Sequence, residues 1–333
     1  MAELRVDRQG YAGPIDLKIE GDDSVAISPK RLPAEAESRK VLITFRTTGK
    51  ALAPVARLRV AGESVGITPA IHRLAVIQTQ NQQQLAGFLD SIPVAPTAES
   101  PTRIEMGELP AFLLKGVDAQ WPVKMAATSN QPGDWLRLSL VSTETPRPNP
   151  QGKRRKVKPT IASLPNQAIS CAAGNGKLMV AIPTDVAEPA IDFVVKADVV
   201  SNPYSNRVLS TSYSQPFRML VQDPLGLQLD AASLSLVGGT PGKIRGKLIR
   251  HPAFRQKVNV TLAGLPAGYA APVLAVPGDK TDFEMPITVP KEPTGRTIPN
   301  VSIAVSLGNG RVPVTQPIEL KVTPATAAAT TKK

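Results

Sequence analysis

Short stretches in which apolar and polar residues alternate recur along most of the chain. The segments 15–19 and 258–262 each carry an apolar residue at every second position, with polar residues between them. Because successive side chains of a strand point to opposite faces of a sheet, this pattern is typical of a strand with one buried face. The alternation therefore predicts β-strands in both places.

These two strands belong to a longer internal repeat. Tyr11 precedes the first strand and Gly21 follows it, and Phe254 and Gly264 flank the second strand at the same spacing without a gap. One supersecondary unit used twice indicates an array of modules and not one large enzyme domain. Further matched positions are Val41, Ile43 and Phe45 with Phe283, Met285 and Ile287, Leu58 and Val60 with Val301, Ile303 and Val305, and Ser28-Pro29 with Val276-Pro277.

Turn signals and proline complete this picture. Asn309-Gly310 follows an alternating segment and predicts a type I′ hairpin, because both residue types tolerate positive φ. The chain has 33 prolines, which favour turns and strand margins over long helices. Strands about every 8–12 residues with turns between them predict β-sandwiches. In the middle of the chain the strand candidates are Trp121–Met125, Trp135–Val141, Lys177–Ile182, Ile191–Val199 and Phe217–Val221.

One segment departs from the strand pattern. Leu85, Phe88, Leu89 and Ile92 are spaced as one face of a helix, which predicts a short amphipathic helix. We therefore predict an all-β chain of about three tandem immunoglobulin-like β-sandwich domains, with one short helix in a linker. The expected boundaries are a sandwich at 1–77, a linker at 78–102, a sandwich at 103–222, a sandwich at 223–323 and a disordered tail at 324–333.

The segments Arg8–Leu17 and Leu262–Tyr269 carry a family resemblance. They resemble immunoglobulin-like β-sandwich modules that recur in large exported bacterial proteins, often near pre-peptidase C-terminal-type domains. The resemblance implies a periplasmic, secreted or cell-surface setting and transfers no active site. Residues 1–8 contain no apolar signal core, so the chain is expected to be a fragment of a longer polypeptide or to have its true start upstream.

Positive charge is concentrated in one proline-bracketed loop. The formal net charge is +12; the loop and the tail residues Lys332 and Lys333 supply eight of these charges, which leaves about +4 for the rest. Closely spaced cations favour polyanions through counterion release, so the loop is a candidate anion site. No aromatic residue interleaves the cations, and we expect no specific nucleic acid. The six cations are Arg147, Lys153, Arg154, Arg155, Lys156 and Lys158.

Catalytic motifs are few. Ser64 lies in a G-x-S-x-G sequence that could serve a serine esterase, but Pro69 follows where the nucleophile elbow needs a helix. A glycine-flanked turn between strands explains the motif better. The two histidines, His72 and His251, have no partner at metal-binding or catalytic spacing. We therefore expect no catalytic residue.

Metal and cofactor sites are not expected either. Cys171 is the single cysteine, so neither an internal disulfide nor a cysteine-based metal site can form. No run of about 18 apolar residues could span a membrane as a helix. Two acidic turns offer carboxylates that a calcium ion could use, but solvated turns are the simpler interpretation. These turns contain Glu20, Asp22 and Asp23, and Asp279, Asp282 and Glu284.

Together these features predict a non-enzymatic structural or interaction module, a tandem spacer or adhesion-type segment of an exported or cell-surface protein. Its partners would be other domains or proteins that bind the sandwich edges and loops. The alternative function is an anion- or envelope-polymer-binding module that acts through loop 147–158. A serine esterase that uses Ser64 is the remote alternative.

Overall fold

The computed structural model describes residues 1–50, 56–78, 88–89, 91–94, 102–127, 134–145, 160–165, 167–291 and 294–324. The predicted all-β class is confirmed: the one helical element in these ranges is a single 3-10 turn, Cys171–Ala173. Within the described ranges, no helix is long and apolar enough to cross a membrane. The chain divides into two compact units: unit 1 contains Met1–Ala111, Ala119–Ala181 and Glu188–Leu220, and unit 2 contains Phe112–Asp118, Ile182–Ala187 and Val221–Lys333.

The N-terminal part of unit 1 is a sandwich of two antiparallel sheets. One sheet has the order β1-β5-β3 and the other β10-β6-β2-β4, with β7 pairing β6. The strands are β1 (Ala2–Val6), β2 (Ile15–Glu20), β3 (Val25–Ser28), β4 (Arg31–Leu32), β5 (Arg39–Thr47), β6 (Ala56–Ser64), β7 (His72–Leu74), β8 (Ile77–Gln78), β9 (Phe88–Leu89) and β10 (Ile92–Val94). Their buried core contains Leu17, Ile27, Leu32, Val41, Ile43 and Val60.

The predicted linker helix is wrong where the structure describes it. Phe88–Leu89 forms β9 and pairs with β8, and Ile92–Val94 pairs with β6. Leu85 lies outside the described residues. A helix of two turns is marginal by itself, and Ile92 precedes Pro93, which disfavours the helical conformation. Strand β6 instead provides the hydrogen-bond partners for the backbone of Ile92–Val94.

The rest of unit 1 contains a second pair of sheets. One has the order β11-β13-β17-β15; in the other, β20, β18, β14 and β16 are successive neighbours and β19 pairs β18. Trp121 is fully buried against Phe193 and Phe217, with ring centroids 5.4 Å away in both cases. All five strand candidates of this region are strands. The strands are β11 (Thr102–Met106), β13 (Ala119–Ala127), β14 (Trp135–Ser142), β15 (Ala162–Ser163), β16 (Ala168–Ser170), β17 (Asn175–Ala181), β18 (Ala190–Val200), β19 (Val208–Tyr213) and β20 (Phe217–Gln222); β12 (Phe112–Leu114) lies in unit 2.

Unit 2 contains a third pair of sheets, with the orders β21-β23-β26 and β22-β28-β27-β24-β25. Strand β22 runs parallel to β28, and the other pairs are antiparallel. The strands are β21 (Leu225–Leu229), β22 (Ser233–Val237), β23 (Gly242–Arg250), β24 (Val258–Ala263), β25 (Leu274–Val276), β26 (Asp282–Ile287), β27 (Arg296–Ser306) and β28 (Val314–Thr323). The three-domain division and its boundaries remain predictions.

The first and third pairs of sheets share a glycine at the end of equivalent strands, β2 and β24. Gly21 and Gly264 both have positive φ, at 101° and 83°. A Cβ on Gly21 would lie 2.7 Å from the carbonyl oxygen of Arg57, and one on Gly264 would lie 2.3 Å from that of Asn300. Only glycine allows this conformation together with this close approach. Both glycines therefore end their strands against equivalent carbonyls.

One detail of the repeat differs from the sequence prediction. Leu32 pairs with Ile15 as Val276 pairs with Val258, so Pro33, and not Pro29, is equivalent to Pro277.

The turn at Asn309-Gly310 is not type I′, because Gly310 has positive φ (79°) and Asn309 does not. Gly310 N–H donates to Leu307 O at 2.9 Å, and Leu307 N–H donates to Arg311 O at 2.8 Å. These bonds define a type I turn followed by a left-handed glycine. The Asn309 side chain contributes, because its amide nitrogen donates to Gly116 O at 3.0 Å.

Candidate functional site

A buried arginine organises the turn between β1 and β2. Arg8 is only 4% exposed, and its guanidinium donates to the carbonyl oxygens of Gly13 and, at 2.7 Å, Pro33. It also reaches Tyr11 O at 3.4 Å. Charge-assisted hydrogen bonds of this kind are stronger than neutral ones, so Arg8 holds three separate backbone positions together. The sequence analysis quoted Arg8 as part of a motif and missed this role.

The third pair of sheets contains an equivalent arginine. Arg250 donates to Gln256 O at 2.8 Å and to Pro277 O at 2.9 Å. Gln256 and Gly13 each lie two residues after the repeat's aromatic residue. The two arginines therefore bind equivalent carbonyls. The signal in the sequence was an arginine three residues before Tyr11 and four before Phe254.

The aromatic residue of the first copy closes one end of the sandwich. The hydroxyl oxygen of Tyr11 lies 2.8 Å from the carbonyl oxygens of both Pro14 and Val65. It accepts a hydrogen bond from the N–H of Val65 at 2.9 Å. Tyr11 thus joins the turn before β2 to the turn after β6.

A cavity of about 380 Å³ opens between the two sheets beside this turn. Its size falls within the range of roughly 300–1,000 Å³ that ligand pockets occupy. Apolar side chains from both sheets line it together with several polar and charged residues. The apolar residues are Leu4, Val6, Ile15, Leu17, Leu32, Val60, Ile71, Leu74 and Ala75, and the others are Arg5, Asp7, Arg8, Gln9, Tyr11, Gly62, Ser64 and Arg73.

The cavity lies next to the free edge of β1. Strand β1 pairs with β5 on one side and is the outermost strand of its sheet. Its counterpart β23 pairs with β26 in the same register, since Leu4 is opposite Val41 as Gly246 is opposite Phe283. The other edge of β23 carries β21. Within the described ranges, no strand occupies that edge of β1.

This difference exposes core positions in the first copy. Leu4 and Val6 are only half-buried, whereas their counterparts on β23, Gly246 and Leu248, are buried, Leu248 with 0% exposure. On both strands these positions alternate with exposed residues, so they lie on the inner faces of their sheets. The uncovered apolar face of β1 is the feature on which a functional assignment can rest.

Charges flank this edge on its outer face. Glu3 and Arg5 are exposed, and Glu3 pairs with Lys40 at 3.0 Å. Asp7 accepts a hydrogen bond from Ser38 at 3.0 Å and is therefore engaged by its own domain. Arg73, which lines the cavity, donates to the carbonyl oxygen of its neighbour His72 at 3.1 Å. A partner at this edge would thus meet charges of both signs.

Ser64 is the last residue of β6 and lines the cavity. Its hydroxyl accepts a hydrogen bond from the N–H of Ile71 at 2.7 Å, and Gly66 has a positive φ of 84°. A turn between β6 and β7 follows it, as the sequence indicated. His72 is opposite Glu63 in the sheet, so its side chain lies on the other face from Ser64. The esterase arrangement therefore lacks His72 as a base.

Both histidines have structural partners. His72 is exposed on β7 with its Nε2 2.9 Å from Glu20. His251 lies in a turn, where its Nε2 is 2.7 Å from Gln222 Oε1 and its Nδ1 accepts from Ala253 N–H at 3.2 Å. These contacts require the proton of His251 on Nε2. Its ring also packs edge-on against Phe112.

The acidic turns are engaged in local contacts. Asp22 accepts from Ser24 N–H at 2.8 Å, and hydrogen bonding from the side chain and backbone of Ser24 lowers the pKa of Asp22. Asp23 pairs with Lys50. The pKa of Glu284 is lowered mainly by its hydrogen bonds to Lys243 and Arg245, its two cationic neighbours. Within the described part of the chain, no group of three metal-binding side chains is positioned to hold an ion.

An ion cluster joins β5 to β18 within unit 1, and sequence reasoning missed it. Arg39 donates to Asp192 Oδ2 at 2.7 Å, and the Asp192 side chain is only 7% exposed. Glu35 contacts both Arg39 and Arg218. Burial raises the pKa of Asp192, and Arg39 partly opposes that rise. A separation of 153 residues left no local signal.

The predicted anion site, Arg147 and Lys153–Lys158, lies outside the described residues.

Comparison with known proteins gives weak similarities. No family model matches the chain, and no curated protein matches it. The fibronectin(III)-like modules of Clostridium thermocellum CbhA align with 69% of this chain and 100% of their own, at 11% identity and a TM-score of 0.24. The D0-D1 domain of Intimin aligns with 66% and 97%, at 9% identity and 0.23. Salmonella alpha-2-macroglobulin reacted with methylamine aligns with 97% of this chain and 28% of its own, at 12% identity and 0.29.

These scores carry no argument about what the protein does.

Proposed function

We propose that the protein is a non-enzymatic interaction module, a β spacer that binds another polypeptide through the free edge of β1. The observation that carries this proposal is the uncovered inner face of Leu4 and Val6 beside the cavity. An unpaired strand edge presents a row of backbone donors and acceptors that a further strand can use. Apolar pockets beside such an edge add side-chain specificity.

The setting belongs to the same proposal. Tandem sandwiches that present edges suit an adhesion-type or spacer segment of an exported or cell-surface protein. An association with pre-peptidase C-terminal-type domains also remains a prediction.

Selection of peptides from a displayed random library tests the proposed function. We expect the full chain to enrich extended peptides, and we expect the Leu4→Asp variant to lose at least about tenfold in affinity for them, because a carboxylate would be placed at the apolar wall. Fluorescence polarisation of the enriched peptides measures this loss. Circular dichroism and thermal melting establish that the variant remains folded.

The matched control is Leu220→Asp. Leu220 is 50% exposed on β20 and does not line the cavity. This variant is expected to bind the selected peptides as the wild type does. Peptides that bind Leu4→Asp unchanged, or a library without enrichment, would contradict the proposed function.

A second candidate function rests on the charge of loop 147–158. Six cations with no acid between them favour a polyanionic envelope component. We expect the wild type to be retained on heparin and to elute at markedly lower salt after Lys153→Gln, Arg154→Gln, Arg155→Gln and Lys156→Gln together. The control neutralises four exposed cations elsewhere, Lys124, Lys177, Arg207 and Lys257. Equal shifts for both variants, or no retention of the wild type, would rule out a specific anion site.

A further inference from the structure

We infer that the edge of β1 takes an extended strand of a partner protein that runs antiparallel to β1. Its side chains opposite Arg8 and Val6 are apolar, the one opposite Leu4 is small, and its outward residues are acidic opposite Arg5 and basic opposite Glu3. This inference rests on the proposed function and specifies the partner.

The chain itself contains a strand in the equivalent position. Strand β21 runs antiparallel to β23 and places Leu225, Leu227 and Leu229 opposite Arg250, Leu248 and Gly246. Because β23 pairs with β26 as β1 pairs with β5, Gly246 is equivalent to Leu4 and Leu248 is equivalent to Val6. Arg250 and Arg8 bind carbonyls at equivalent positions of the two copies, so these two arginines are equivalent as well. A strand on β1 in the same register thus faces Arg8, Val6 and Leu4.

The apolar positions follow from what β21 buries. Leu225 is 3% exposed, and Leu227 and Leu229 pack against the core of unit 2. On β1, the corresponding inner face opens on a cavity lined by Leu4, Val6 and the residues of the facing sheet. Two apolar side chains, opposite Arg8 and Val6, would cover that face as β21 covers β23.

One position differs between the copies. Gly246 lets β21 approach closely, because a Cβ there would lie 2.8 Å from the carbonyl oxygen of Gln228. Leu4 replaces that glycine in β1, so a paired strand must keep ordinary spacing beside a larger side chain. A small residue opposite Leu4 satisfies this requirement.

Charges specify the outer face of the partner strand. Residues directly opposite in an antiparallel pair lie on the same face, and opposite charges there stabilise the pair. In the third copy the residue opposite Arg245 is acidic: Asp230 N–H donates to the carbonyl oxygen of Arg245, while the Arg245 side chain pairs with Glu284 at 2.9 Å. Arg5 therefore calls for an acidic residue, and Glu3 calls for a basic one.

A second copy of β1 is the competing occupant. With Leu4 opposite Leu4, each Glu3 would face Arg5 of the other copy, so the charges match. The inner face fits less well, because Ala2 would be the residue opposite Val6 and two leucines would meet at the position that needs a small residue. The inner face therefore favours a partner strand.

A peptide that copies Asp223–Ala231 is the probe. The matched peptide carries Gln228→Glu, Leu229→Ala and Asp230→Lys, and the reversed peptide carries Gln228→Lys, Leu229→Ala and Asp230→Glu. We expect the full wild-type chain to bind the matched peptide at least about tenfold more tightly in fluorescence polarisation. The chain with Glu3→Lys and Arg5→Glu is expected to invert this preference. Both substitutions are at exposed positions and leave the inner face unchanged.

A scrambled peptide of the same composition controls for non-specific binding, because it lacks the alternation. Equal affinities for matched, reversed and scrambled peptides would overturn the inferred partner, while library peptides that depend on Leu4 would still support the proposed function. A concentration-dependent dimer in sedimentation analysis, abolished by Glu3→Lys and restored by adding Arg5→Glu, would overturn the partner strand in favour of a second copy. Matched-peptide binding that survives Leu4→Asp would overturn both the inferred partner strand and the proposed function.

Discussion

Replacing Arg8 with methionine is expected to destabilise the N-terminal sandwich by about 3–4 kcal/mol, because hydrogen bonds to a charged donor contribute roughly 1.5–3 kcal/mol each. Arg8 is 4% exposed and serves the carbonyls of Gly13 and Pro33. Methionine fills similar space but leaves those part-buried carbonyl oxygens without the guanidinium donor. Hydrogen exchange at the amides of Leu17 and Val41 measures the loss, since global unfolding of several domains need not be two-state.

Two control variants separate this role from charge alone. Arg5→Met, on the exposed face of β1, should change stability by no more than about 0.5 kcal/mol. Arg8→Lys keeps the charge but lacks the planar guanidinium that reaches two carbonyls at once. It should therefore recover only part of the stability that Arg8→Met loses. Full stability of Arg8→Met would show that the turn does not depend on this side chain.

Replacing Arg39 with methionine is expected to cost about 3–5 kcal/mol near neutral pH, because it leaves a buried carboxylate without its partner. The carboxylate is that of Asp192, whose side chain is 7% exposed and lies 2.7 Å from Arg39. Chemical denaturation followed by the fluorescence of the buried Trp121, which packs against Phe193 beside Asp192, measures the effect.

This loss should depend on pH in a defined direction. Burial raises the folded-state pKa of Asp192, and Arg39 opposes that rise, so the variant's pKa should be higher still. A group with a raised folded pKa contributes its full stability below the unfolded value, about 4, and loses it as pH rises through the folded pKa. The cost of Arg39→Met should therefore be smaller at pH 4 than at pH 8. Glu35 and Arg218, the other charges facing this pair, remain unchanged.

Arg39→Met combined with Asp192→Asn is the matched control. It removes the carboxylate with its partner, so most of the stability at pH 8 should return. An equal cost at both pH values, or no recovery in the double variant, would show that charge burial does not explain the effect.

Local pattern was sufficient for the all-β class and for individual strands. The alternation at 15–19 and 258–262 located β2 and β24, and the five candidates in the middle of the chain are all strands. It was insufficient around Ile92, where helical spacing coincided with a segment that β6 recruits into its sheet. Asn309-Gly310 likewise predicted a turn correctly but not its type, because contacts with Gly116 and Arg311 decide the conformation.

By itself the sequence determined which short segments form strands and where glycines end them. These properties depend on residues near one another in the chain, so alternation and turn chemistry carry them. Tertiary structure alone decided that Arg8 binds Pro33, that Arg39 neutralises Asp192, and that β21 covers β23 while no strand of the described residues covers the same edge of β1. These depend on residues distant in sequence, and only the packing of sheets brings such residues together.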